Sequence, residues 1–177
     1  MLAADVRALL DAYSPVDVRE SRFRDRMLSL TEHPHPFARS TFGPGHFTAS
    51  AFVLSPERDA LALIFHRKLG LWLQPGGHIE PGDRTARGAA AREVEEEIGL
   101  WELLPLSDGL FDLDVHVIPA HGEEAAHEHF DLRLAFVSGT RELRPSAEVA
   151  GARWASFAEI TDLTPDESVR RAVRKLG

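Results

Sequence analysis

Three glutamates, Glu93, Glu96 and Glu97, stand in a stretch that reads Arg92-Glu93-Val94-Glu95-Glu96-Glu97-Ile98-Gly99-Leu100. At about 100° per residue on a helix they share an arc about 100° wide, with Ala90, Ala91, Val94 and Ile98 on the adjoining apolar side. Like charges at these spacings cost roughly 0.2–0.5 kcal/mol per pair, and a divalent cation held between them reverses that sign. Donors that are all oxygen suit Mg²⁺ or Mn²⁺ rather than zinc. Acidic helix faces are commonly just solvated, so the flanks matter. Upstream, Gly76-Gly77-His78-Ile79-Glu80-Pro81-Gly82-Asp83 offers main chain that a phosphate or a metal can approach, and Gly99 is a helix-stopping glycine.

Such a helix needs a sheet to hold it. Residues 46–54, 60–67 and 71–73 are short apolar runs separated by turn-rich segments, which is strand spacing. Leu110 to Ile118 alternates Phe111, Leu113, Val115 and Val117 with Asp112, Asp114 and His116, predicting one buried and one polar face. His127 to Val137 does likewise, with Phe130, Leu132, Leu134 and Phe136 opposite His127, His129, Asp131 and Arg133. A strand near 152–155 precedes helices near 157–163 and 165–176, the last expected to be capped by Thr164. Two amphipathic helices, near 3–12 and 16–31, come first, joined to the rest by a segment rich in Pro and Gly. The spacing predicts an α/β fold, a mixed sheet with helices packed on it. Residues 1–45 form a helical N-terminal extension and 46–177 the main domain.

Taken together, Gly77, Arg92, Glu93, Val94, Glu96, Glu97, Gly99 and Leu100 resemble the Nudix box. In that pattern a glycine, five residues, a glutamate and seven residues precede Arg-Glu, an aliphatic residue, any residue, Glu-Glu, any residue, Gly and an aliphatic residue. Asp83 stands where the family has glutamate, and eight residues instead of seven separate it from Arg92. An extra residue inside the helix would rotate everything before it by about 100°, so the insertion is placed in the loop at 82–85.

The resemblance implies a Nudix-type α/β/α sandwich and a hydrolase dependent on Mg²⁺ or Mn²⁺. The expected reaction cleaves a diphosphate bond in a nucleoside diphosphate-X substrate: a nucleotide sugar, a dinucleotide polyphosphate or a nucleoside triphosphate. It further implies Glu96 and Glu97 as main metal ligands and Glu93 as an added ligand or the base. The carbonyl near Gly76 or Gly77 is another expected ligand, Arg92 orients the carboxylates, and Asp83 supports the loop. Glu148, six residues before Trp154, is the expected distant ligand or base, with Glu128 and Asp131 as runners-up.

Phosphates also need cations. His66, Arg67 and Lys68 at a strand end, with Arg133 on a polar strand face, are candidates for a substrate clamp, the alternative being solvated strand ends. His127 and His129 share one side of a strand, which permits a second metal site or substrate contacts, although hydrogen-bonded histidines at a cleft wall are commoner. Tyr13, Phe23 and Phe37 could stack a base or pack inward.

Composition narrows the partners. The 177 residues carry 28 Asp and Glu against 20 Lys and Arg, a net charge of -8, which disfavours electrostatic binding of nucleic acid or anionic lipid. The absence of cysteine excludes disulfides, thiolate zinc sites and cysteine nucleophiles. Met1 to Asp11 fits neither a signal peptide nor a membrane span, so cytoplasm is the expected location. A small nucleotide diphosphate is the expected partner, with a homodimer left open. The competing expectation is a catalytically silent Nudix-fold nucleotide-binding or regulatory module, which must explain why Glu93, Glu96 and Glu97 are all retained.

Overall fold

The computed structural model describes residues 1–122 and 124–176. In chain order the elements are α1 (Leu2–Ala12), α2 (Val18–Leu30), β1 (Gly45–Leu54), β2 (Ala60–His66), β3 (Leu71–Leu73), β4 (Gly76–His78) and α3 (Ala86–Ile98). They continue with β5 (Leu103–Pro105), β6 (Asp112–Ile118), β7 (His127–Ser138), β8 (Ala152–Ser156), α4 (Phe157–Leu163) and α5 (Glu167–Val173).

The longest apolar run becomes the central strand: β1 is buried at every position. One edge of β1 pairs in parallel with β7, from Gly45↔Glu128 to Leu54↔Val137. Its other edge is shared. β4 pairs antiparallel with Thr48 to Ser50, and β2 meets β1 at Leu54↔Leu61. β3 and β8 extend the sheet from β2, and β5 and β6 line the far edge of β7.

Both faces of β1 are covered. Phe47, Ala49, Ala51 and Val53 pack with Ala86, Ala89, Ala90, Val94 and Ile98 of α3. Val6 and Leu10 of α1 and Met27 and Leu30 of α2 join that same cluster, so the N-terminal helices share the core of the main body. On the opposite face Phe52 and Leu54 pack with Leu61, Leu63, Ala135 and Val137 under Ile160, Val169 and Ala172 of α4 and α5. The result is helices on both sides of a mixed sheet. Tyr13 is buried, Phe23 packs against the core and Phe37 lies 5.5 Å from Phe47 between ring centres, so these aromatics point inward. Among the described residues no helix is long and apolar enough to cross a membrane.

Helix ends follow local chemistry. Asp17 accepts the N–H of Glu20 to start α2, and Ser156 with Glu159 forms a reciprocal capping box at α4. α3 begins at Thr85, whose hydroxyl accepts the N–H of Gly88, and stops at Gly99 with φ 71°, a left-handed conformation that favours glycine. The uninterrupted helix leaves the extra residue of the box in the preceding loop. The last helix differs from the sequence expectation. Its cap is Asp166, which accepts the N–H groups of Ser168 and Val169, while Thr164 accepts from Asp166. β4 and β5 were not expected as strands, because two glycines and a proline leave no alternation to read. The polar face of β6 and β7 is also not open: Asp112, Asp114, Asp131 and Arg133 are all buried.

Candidate active site

The glutamates of α3 meet the glycines of β4. Glu97 is 8% exposed, and one of its oxygens accepts the N–H of Gly76 at 3.0 Å. Glu93 lies so close to Gly77 that a Cβ there would fall 2.7 Å from a carboxylate oxygen and displace that carboxylate. Glu96, with its side chain 51% exposed, stands at the outer rim. Burial pushes the Glu97 carboxyl up to about 8; the Gly76 N–H opposes the shift, and the charges of Glu93, Glu148 and Glu96 add to it. Glu93 is also raised by burial, with Arg92 opposing. Three clustered carboxylates that share one arginine, with Glu97 paired to no cation among the described residues, are a donor set that a hard divalent ion takes.

Arg92 ties this cluster together. Its Nη1 donates to Glu93 at 2.9 Å and to Glu96 at 2.7 Å. Its Nε and Nη2 donate to the two oxygens of Asp83 at 3.1 and 2.9 Å, and Nη2 also reaches the carbonyl of His78 at 2.9 Å. Asp83 in turn accepts the N–H of Glu80 at 2.8 Å, closing the loop between β4 and α3. Four of these five hydrogen bonds go to carboxylates, so the guanidinium holds Asp83, Glu93 and Glu96 in fixed relation to one another. Asp5 of α1 supplies a further support, accepting the N–H of Ala86 at 2.9 Å at the first turn of α3. Nothing in the local sequence around Ala86 signals a cap from 81 residues upstream.

Glu148 sits on the loop before β8. Arg144 N–H and Ser146 N–H donate to the carbonyls of Ile98 and Glu97 at 2.8 and 2.9 Å, so the end of α3 anchors this loop. Glu148 is exposed, and its charge adds to the upward shifts of both Glu93 and Glu97. The runners-up lie elsewhere. Glu128 is paired with Arg26, and Asp131 is buried against Thr48, Ser50 and Arg133.

The expected clamp divides. Arg67 donates from Nε to the carbonyl of Ala147 at 3.1 Å, bracing the residue next to Glu148, and His66 Nδ1 accepts the N–H of Leu69 at 3.3 Å. Lys68 is exposed beside them. Arg133 does not belong to a clamp. Only 2% exposed, it donates to Asp131 at 2.9 Å, to Asp112 at 3.1 Å and to Ser168 of α5 at 2.9 Å. Arg171 and Lys175 complete a buried ionic network on Asp112, at 2.7 and 2.6 Å. Period-two alternation put Arg133 on a polar face; the helix that covers this face turns it into an interior cross-link.

The polar face of β1 also gathers histidines. The ring centres of His78, His127 and His129 each lie about 5 Å from that of His46, and His116 lies 5.6 Å from His129. Burial lowers His78 to about 4 and His129 to about 2, with positive neighbours adding to each shift, so both are neutral at pH 7. His121 instead makes an exposed bridge to Glu124.

The model of the NUDIX domain family matches residues 44–176. The chain belongs to the Nudix family. A Bacillus subtilis relative described as "Putative 8-oxo-dGTP diphosphatase" is 31% identical over 111 residues, 62% of this chain and 67% of the relative. A NUDIX-family hydrolase from Clostridium perfringens superimposes with a TM-score of 0.56 at 25% identity, covering 74% of this chain and 95% of that one. The E. coli dihydroneopterin triphosphate pyrophosphohydrolase shares the fold, with a TM-score of 0.55 at 19% identity over 73% and 92% of the two chains. By that membership the chain is a Nudix hydrolase. The Nudix helix is α3, and the two N-terminal helices lie outside the matched region yet share its core.

Proposed function

We propose that the protein is a Nudix hydrolase dependent on Mg²⁺ or Mn²⁺ that cleaves the diphosphate bond of a nucleoside diphosphate-X compound. The observation that carries this reading is the burial of Glu97 against the Gly76 N–H, with Glu93 against Gly77 and Glu96 at the rim. Glu93, Glu96, Glu97 and the Gly77 carbonyl would hold the cation. When bound, it offsets the negative charge that builds on the phosphate oxygens as the bond breaks.

The chain's own groups do the rest. Arg92, fixed by Asp83, keeps Glu93 and Glu96 on the same side of α3 and prevents their mutual repulsion from splaying them. Glu148 receives a proton from the attacking water on a carboxylate oxygen, which suits an exposed carboxylate on a loop pinned to the end of α3. Glu93 is the second group able to take this role. Lys68, with His66 beside it, meets the outer phosphate. The B. subtilis relative favours a nucleoside triphosphate carrying an altered base, and nucleotide sugars and dinucleotide polyphosphates belong to the same bond class.

The test is a panel of 8-oxo-dGTP, the ordinary nucleoside triphosphates, ADP-ribose and a dinucleotide tetraphosphate, with Mg²⁺ or Mn²⁺, reading released nucleoside monophosphate. At least one compound should be hydrolysed only with metal, and Glu96→Gln should lower that rate about 100-fold or more while circular dichroism stays unchanged. Undiminished turnover by folded Glu96→Gln would remove the mechanism.

A further inference from the structure

We propose that His46, His127 and His129 form a second metal site, suited to a nitrogen-binding divalent transition ion such as Zn²⁺. It is separate from the carboxylate site on α3. Parallel pairing of β1 and β7 sets His46 opposite His129, and the strand alternation places both on the face of β1 away from α3. One nitrogen from each of the three rings lies within 4.8 Å of the others. His127 Nε2 and His129 Nε2 are 3.3 Å apart. That is the edge of a tetrahedron with metal–nitrogen bonds of about 2.05 Å.

The hydrogen bonds behind the rings aim the right atoms. His127 Nδ1 donates to the carbonyl of Ala125 at 2.8 Å, which leaves Nε2 an unprotonated acceptor facing His129 Nε2 at 3.3 Å, the contact a metal would replace. His46 Nδ1 faces the carbonyl of Thr41 at 3.3 Å, and its Nε2 is buried without a partner. A backbone carbonyl on the far nitrogen is the arrangement that fixes tautomer and ring orientation in histidine metal sites. A fully buried imidazole nitrogen with nothing to bond is difficult to account for by packing alone. His78 stacks on His46 and His116 meets His129 edge-on, so two more imidazoles wall the site, the latter held by Asp114 at 3.1 Å. Neutral imidazoles suit zinc and its neighbours and disfavour Mg²⁺, the reverse of the preference on α3.

Tag-free protein stripped with chelator is titrated with Zn²⁺ in excess Mg²⁺, which keeps the carboxylate site from competing. The expected result is one Zn²⁺ per chain, retained in Glu97→Gln and weakened at least about tenfold in His127→Gln and in His129→Gln. A Zn²⁺ concentration a hundred times Kd should raise the wild-type Tm by about 5–10 °C. Wild-type protein also gives a reading free of folding defects, because Zn²⁺ should shift the imidazole nitrogen resonances of His127 and His129, but not those of His33 and His35. The site is overturned if no Zn²⁺ binds in excess Mg²⁺, if both histidine variants bind like wild type, or if Zn²⁺ leaves the imidazole resonances of His127 and His129 unmoved.

Discussion

Asp83 accepts two hydrogen bonds from Arg92, at 3.1 and 2.9 Å, across the loop that carries the extra residue of the box. A shorter carboxylate at that position, with one more residue before the helix, still reaches the arginine that organises Glu93 and Glu96. Asp83→Asn keeps the shape and removes the charge. Its expected effect is a rise in the Mg²⁺ concentration needed for half-maximal turnover, by about 10- to 100-fold, with a smaller change at saturating metal. Activity titrated against Mg²⁺ for both proteins checks this, and superimposable curves would show that Asp83 contributes nothing to metal binding.

The N-terminal helices support the site through Asp5, which accepts the first N–H of α3 at 2.9 Å. Asp5→Ala should cost about 1 kcal/mol, the usual value of a lost cap, and lower Tm by about 2–4 °C. Urea denaturation measures the first figure and a thermal melt the second. An unchanged Tm would mean that α1 does not brace α3 through this contact.

Arg133 separates a structural role from a substrate role. Arg133→Ala leaves Asp131 buried without a cation, and Asp112 and Asp114 with only Arg171, Lys175 and His116, and should destabilise the fold by about 3–5 kcal/mol. Chemical denaturation checks the magnitude. A variant as stable as wild type, with only KM raised, would return Arg133 to the substrate clamp.

The raised Glu97 carboxyl has a definite sign in pH. In metal-free protein its folded value, about 8, lies above that of the unfolded chain, so the folded state holds an extra proton between the two values. The stability contributed by this group is full below the unfolded value and is lost as pH rises toward 8. Wild type should therefore weaken relative to Glu97→Gln between pH 5 and pH 8, about the span of that shift. Denaturation midpoints for both proteins across this range, in chelator, test it; parallel curves would contradict it.

Much of the site was legible because the information is local. The three glutamates, Val94 and Ile98 lie within two turns of one helix, and Gly99 marks its end, so periodicity alone sets their faces. The strands β1, β2 and β7 are apolar runs of the right length, and these were readable too. Relationships between distant segments were not. Asp5 reaches Ala86 through the packing of α1, and His46 joins His127 and His129 through a parallel pairing that the sequence does not specify. Arg133 shows the limit of alternation. The pattern assigns a polar residue to one face of a strand, and only the position of α5 determines that the face is buried. β4 escaped notice for a related reason: its pairing with β1 runs through the backbone of Gly76 and Gly77, which carry no side chains to betray it.

The central claim is that α3 holds the divalent cation through the face bearing Glu93, Glu96 and Glu97. The most direct measurement is Mn²⁺ binding followed by electron paramagnetic resonance, comparing wild type with Glu97→Gln and with Glu95→Gln, an exposed change on the same helix outside that arc. The expected result is affinity about 10- to 100-fold weaker in Glu97→Gln and unaltered in Glu95→Gln. Equal Mn²⁺ affinity in all three proteins would contradict it.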